Sequence, residues 1–364
     1  MPSEVLLAQA APVMHHRTPQ FAEIAKECFE GLKKVFLTES PVLIFASSGT
    51  GAMESAVVNL LSPGDKTIVI RSGKFGERWG ELCEAYGVGF TPIDVEWGKA
   101  VKPADVAAAL KKTPGAKAVF ATHCETSTGV LHPVKELAAV TAGTDAVLVV
   151  DAVSSLGGVP LRTDEWGVDV VVTGSQKAIM LPPGLAFASI SEKAKKLSES
   201  AKCPRYYFDW RPALKSYAKN DFAWTPAVNM MFGLRESLKM LLEEGMENVF
   251  ARHARLATAV RAAVAALGLE LFAEAPADVV TAVKVPEGID GGALVKKLRD
   301  EQGITIAGGQ GHVKGKIFRI ATMGFADTYD VPVVIAGLEV VLSQLGYSFK
   351  VGSGVGAAVK TLAK

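Results

Sequence analysis

Residues 146–191 read AVLVVDAVSSLGGVPLRTDEWGVDVVVTGSQKAIMLPPGLAFASIS. The runs 146–150 and 168–173 are apolar without strict polar alternation, the pattern of strands buried on both faces. Pro182-Pro183-Gly184 then turns the chain into a further apolar strand, 185–191. The same character recurs upstream at 67–70 and 116–122, and helical spacing fills the stretches 77–87, 104–112 and 133–142 between them. Strands alternating with helices predict a mainly parallel α/β sheet.

Working outward, residues 3–36 read as helix broken at Pro12 and Pro19, with Ser3 as a candidate cap. PVLIFASSGT (41–50) is a strand running into a small-residue turn, and GAMESAVVNLL (51–61) is a helix. Downstream, a long helix is expected over 229–266, bent near Gly245. A strand pair (272–288), a helix (291–301), GITIAGG, KIFRIAT and a helix (331–345) then describe a smaller α+β unit. The Gly/Ala-rich tail from 352 is expected to dock as a short helix, and the chain shows no internal repeat.

Composition narrows the function. The 364 residues are 49% hydrophobic and 21% charged, which excludes disordered, collagen-like and coiled-coil chains. Lys and Arg number 39 against 38 Asp and Glu, so there is no basic excess for nucleic acid or an anionic membrane surface. Cys28, Cys83, Cys124 and Cys203 are scattered without a CxxC pair, which argues against a zinc site or a disulfide framework and for a reducing cytoplasm. No stretch reaches the ~20 apolar residues of a membrane span.

Three features carry chemistry. Ser47-Ser48-Gly49-Thr50-Gly51 lies between a strand and a helix, where backbone N–H groups bind phosphate and small residues permit close approach. Glu54 stands where a dinucleotide fingerprint needs its third glycine, so a single phosphate fits better than a pyrophosphate. Asp151 directly follows AVLVV, at the strand end where open α/β sheets bind ligands; alone, it reads as a turn cap. Lys177 follows a buried strand and precedes Ala178-Ile179-Met180-Leu181. A lysine amine among apolar groups loses its charge readily and can bond to a carbonyl carbon; alone, it reads as a snorkelling surface lysine. Together, an amine, a carboxylate 26 residues before it and an anion cradle are what pyridoxal phosphate requires. His123 and Cys124 end a strand at the ligand edge as a conceivable nucleophilic pair, and His15-His16-Arg17 forms a polar cluster that could lie near the site. His132, His253 and His312 show no metal spacing.

SSGTGAME, THCETSTGVLHPV, VVDAVSSLGGVPL and TGSQKAIMLPPGLAFASIS resemble the class V aminotransferases of fold type I, in the alanine–glyoxylate, serine–glyoxylate and serine–pyruvate group. The resemblance implies a seven-stranded large domain (21–250), a small C-terminal domain (251–364) and an N-terminal segment (1–20) near a dimer interface. It implies pyridoxal 5'-phosphate bound covalently by Lys177, with Asp151 on the ring nitrogen and Ser48, Gly49, Thr50 and Gln176 around the phosphate. Thr126 would sit near the ring oxygen and Phe75 would stack on the ring. Thr225 would reach the phosphate of the other subunit of a homodimer, and Arg319 would grip the substrate carboxylate. The implied activity is ping-pong transfer of an amino group from alanine or serine to glyoxylate or pyruvate. Phe222 stands where relatives often have a tyrosine reaching the phosphate, so that bond is expected to be missing, and Phe75 offers less stacking area than the tryptophan of some members. Family members also carry an LLTPGP-like segment before the equivalent of Pro2-Ser3-Glu4, on which full activity is expected to depend. Three rivals stand beside this reading. A cysteine desulfurase is opposed by Gln176 and by the lack of any cysteine after Cys203, and a nicotinamide oxidoreductase by Glu54. A non-catalytic dimer that keeps the fold is left room by Phe222 and by the missing segment.

Overall fold

The computed structural model describes residues 1–364. In chain order the elements are α1 (Ser3–Gln9), α2 (Pro19–Phe36), β1 (Val42–Phe45), α3 (Gly49–Leu60), β2 (Lys66–Arg71), α4 (Lys74–Ala85) and β3 (Gly89–Asp94). Then come α5 (Pro103–Lys112), β4 (Ala118–Thr122), β5 (Cys124–Glu125), β6 (Val130–Leu131), α6 (Val134–Thr141), β7 (Val147–Asp151), α7 (Thr163–Trp166) and β8 (Val170–Gly174). β9 (Ala186–Ile190), α8 (Glu192–Ser198), α9 (Trp210–Tyr217), α10 (Val228–Glu244) and α11 (Met246–Ala266) follow. The chain ends with β10 (Val280–Lys284), α12 (Gly291–Gln302), β11 (Ala307–Gly308), β12 (Ile317–Ala321), α13 (Asp330–Gln344) and α14 (Ser353–Leu362).

The central sheet has seven strands in the order β1-β9-β8-β7-β4-β2-β3. β9 alone runs against the direction of the other six strands. Successive residues of a strand point to opposite faces, and here both faces are covered. Val119, Leu148, Val150 and Val171 pack with α2, α5, α6 and α10. Phe120, Val147, Val149 and Val170 pack with α3, α4 and α9. That double burial explains the unbroken apolar runs. A second, three-stranded antiparallel sheet, β10-β12-β11, packs its core against α11–α14.

Several local expectations are corrected. Ser3 does not cap α1: Pro2 holds that position and the Ser3 hydroxyl bonds Glu4. Pro19 opens α2 rather than breaking it, because its missing N–H is free at the first helical position. The long helix is two helices: Gly245 adopts φ 82, a left-handed backbone that ends α10 before α11 begins. The strand pair over 272–288 reduces to β10 and an isolated Leu271–Val283 bridge.

Candidate active site

The carboxyl ends of the parallel strands place the site residues. β7 ends at Asp151, which is in register with Thr122 of β4 and Val172 of β8. β8 ends at Gly174, three residues before Lys177. The turn after β1 leads into α3 at Gly49, and the turn after β2 into α4 at Lys74. These loops enclose a cavity of about 170 Å³ lined by Ser48, Gly49, Thr50, Phe75, Thr126, Asp151, Gln176 and Lys177, and also by Met53, Arg78, Cys124, Val153 and Ser154. Eight of the ten residues singled out in the sequence therefore meet in one place. Thr225 is exposed and lines a separate apolar pocket with Phe222 and Trp224. Arg319 lies beside the cavity, with Nη1 donating to the Thr126 carbonyl.

Asp151 is 3% exposed, and its carboxylate accepts one hydrogen bond, from the Val153 amide at 2.8 Å. Burial pushes its pKa up to about 7, against that hydrogen bond and the charges of Arg78 and Lys177. One oxygen caps the turn and the other has no partner within the chain, so the turn-cap role leaves an oxygen open toward the cavity. Burial lowers the pKa of Lys177, and the Arg319 charge acts in the same direction. A lysine so placed is more readily a neutral nucleophile than a surface lysine is.

Along the same cavity, α3 begins without a side-chain cap from Ser48. Its first amides have no intrahelical acceptors and carry the positive end of the helix dipole. A Cβ on Gly49 would lie 2.6 Å from Val153 Cγ2, so no larger residue fits that approach. Gln176 Oε1 is buried without a partner, and its amide can turn to offer N–H to an anion. Thr126 Oγ1 and Ser154 Oγ are 2.5 Å apart. The donor set therefore fits a phosphorylated aldehyde with a basic ring nitrogen: an amine, a carboxylate in need of a cation, and an anion cradle.

Two residues that sequence reasoning passed over complete the geometry. Glu125 is fully buried; Oε2 accepts from the Phe75 and Gly76 amides at 3.1 and 2.9 Å, and Oε1 from the Ser127 amide and hydroxyl at 3.1 and 2.6 Å. It caps α4, which has no cap of its own, from 50 residues away and so sets where Phe75 stands. Arg78, one turn along α4 from Phe75, lines the cavity. An acidic residue directly after a buried run and a cation three positions from an aromatic were the available signals, and both read equally well as solvated charges.

Of the other candidates, Cys124 alone lines the cavity. His123 Nδ1 pairs with Ser155 Oγ at 3.0 Å, and burial lowers the His123 pKa to about 3. Burial pushes the Cys124 thiol well up, so the two do not form an activated nucleophile. His15 and His16 stack on each other in the N-terminal segment, away from the cavity. Phe222 packs against Phe29 and Phe21, with centroids 5.4 and 6.1 Å apart. Glu54 accepts a hydrogen bond from the Tyr86 hydroxyl.

The sheet order, the second sheet and the strand-edge site define a fold type I transferase. A solved ureidoglycine–glyoxylate aminotransferase from Bacillus subtilis superposes with a TM-score of 0.95 at 32% identity, covering 100% of this chain and 95% of that one. The aminotransferase class-V family model matches residues 4–325, and the chain belongs to that family of amino-group-transferring enzymes. An L-aspartate–glyoxylate aminotransferase from Paracoccus denitrificans is 42% identical, over 98% of this chain and 92% of that protein. A Synechococcus protein named as the small subunit of a soluble hydrogenase is 43% identical, over 100% of this chain and 96% of that protein.

Proposed function

We propose that this aminotransferase holds pyridoxal 5'-phosphate on Lys177 and exchanges the amino group of a small amino acid with a small 2-oxoacid in two half-reactions. One observation carries the reading: Lys177, Asp151 and the α3 N-terminus converge on a single cavity. When bound, the cofactor supplies the aldehyde that takes up the amino group and the ring that withdraws electrons from the substrate Cα. Asp151 would hold a proton on the ring nitrogen, an ion pair that compensates its burial. Ser48, Gly49, Thr50 and Gln176 would hold the phosphate, Phe75 would cover one ring face, and Thr126 would orient the ring oxygen. Lys177 Nζ, freed by the incoming amino group, would take the proton from the substrate Cα as general base. Arg319 would fix the substrate carboxylate through parallel N–H donors.

Glyoxylate is favoured as the acceptor because the aminotransferase relatives described above carry it in their names; pyruvate is the second choice, with alanine or serine as donor. The hydrogenase name of one relative does not change this reading. The four cysteines are unpaired and buried, and no three His, Cys, Asp or Glu side chains are grouped to hold a metal. We further propose a homodimer in which Thr225 serves the cavity of a second copy, the domain division 21–250 and 251–364, and residence in the cytoplasm. No helix is long and apolar enough to cross a membrane.

A half-reaction panel tests the activity. Holoenzyme mixed with L-alanine, L-serine or L-aspartate, without acceptor, should release about one oxoacid per chain from at least one of them. A cofactor-loaded protein that releases none would overturn the reading.

A further inference from the structure

Arg78 stands three residues after Phe75 on α4, so the two side chains leave the helix on one face. Its Nη1 donates to Thr50 Oγ1 at 3.2 Å, and its guanidinium carbon lies 4.9 Å from the centroid of the Phe75 ring. A guanidinium has five N–H donors, and this one uses a single one within the chain. Of the nearby carboxylates, Glu77 pairs with Lys74 and Glu125 with the α4 amides, while Asp151 shares the cavity and feels the Arg78 charge without bonding to it. Arg78 is therefore a half-buried cation that makes no ion pair, held against the second residue of α3. The start of that helix is itself electropositive. Two positive ends side by side repel each other until an anion sits between them.

We propose that Arg78 is the charged donor of the anion-holding end of the cavity, bonding the phosphate of the cofactor together with the α3 amides and Thr50. The assignment rests on the cofactor reading above and adds a residue to it. The Phe75 ring, 4.9 Å from the guanidinium carbon, helps to hold the cation at the cavity wall. The hydroxyl of Thr50 links the cation to the helix start.

The test uses the apoprotein and three probes: inorganic phosphate, pyridoxal 5'-phosphate and phosphate-free pyridoxal, each titrated by tryptophan fluorescence. Arg78→Gln should weaken binding of the two phosphate-bearing probes about tenfold or more and leave pyridoxal binding unchanged. Arg78→Lys keeps the charge without the fork and should fall between the wild type and Arg78→Gln; it carries the same comparison should Arg78→Gln fold poorly. Unchanged phosphate binding in the variants would overturn the role of Arg78 while leaving the cofactor reading intact. Equal losses for pyridoxal and its phosphate would overturn it too, by assigning Arg78 to the support of Phe75. Failure of the wild type to bind any probe would instead remove the cofactor reading itself.

Discussion

Arg319 joins the small sheet to the β5–β6 turn through the main chain of Thr126. Its Nη1 donates to the Thr126 carbonyl at 2.8 Å beside the cavity, while Nε and Nη2 donate to the Gly308 carbonyl in the small sheet at 3.1 and 2.8 Å. The arginine is 8% exposed, and its partners here are neutral carbonyls rather than carboxylates. Burial lowers its pKa, and the negative charge of Glu125 only partly opposes that. A buried guanidinium held by neutral acceptors keeps its charge available for a substrate carboxylate.

Replacing it should act on substrate binding first. Arg319→Lys retains a charge but loses the planar fork, and Arg319→Ala loses both. The KM for the amino donor should rise on the order of tenfold in the first and 100-fold or more in the second, about 3 kcal/mol. Cofactor absorbance should be retained in both. Half-reaction kinetics read this directly, and an unchanged KM in Arg319→Ala would remove the residue from the substrate site.

Glu125 should matter to placement more than to chemistry. Four donors converge on its two oxygens, and an amide cannot accept at its nitrogen. Arg78 and Phe75 both ride on the helix start that Glu125 caps. Glu125→Gln should cost about 2–4 kcal/mol in urea unfolding and raise hydrogen exchange at residues 74–78. Exchange at 74–78 equal to the wild type would show that α4 holds its own start.

Asp151 sets a pH dependence in the cofactor-free chain. Its folded pKa, about 7, lies above the ordinary aspartate value. The folded state therefore binds the proton more tightly than the unfolded state does. Stability falls as pH rises from about 4 to about 7 and is flat above that. Asp151→Asn removes this cost. The variant should match the wild type near pH 4 and exceed it by about 2–4 kcal/mol at pH 8. Paired denaturation curves across that range measure it, and a variant less stable than the wild type at pH 8 would contradict it.

The parts of the fold legible in the sequence are those whose residues answer to one environment. β4, β7 and β8 are buried on both faces and read as unbroken apolar runs. β3 was not: unlike β1 at the other edge, it carries Gly89, Pro92 and Asp94, is partly exposed and has no core pattern. The short helices α8 and α9 likewise bury only a few side chains each. Within the site, Asp151 and Lys177 announce themselves by following buried strands. Glu125 and Arg78 do not, because what makes them special is contact with residues 28–50 positions away. Thr225 was singled out by family likeness alone, and its own chain gives it no part in the cavity.

Every role proposed for the cavity follows from a covalent bond between Lys177 and the cofactor aldehyde. Borohydride reduction of the reconstituted protein, followed by peptide mass mapping, tests it most directly. The mass of the reduced cofactor should appear on the peptide carrying Lys177 and vanish in Lys177→Ala, together with the visible absorption band. Label on a different lysine, or a full visible band and turnover in Lys177→Ala, would contradict the account.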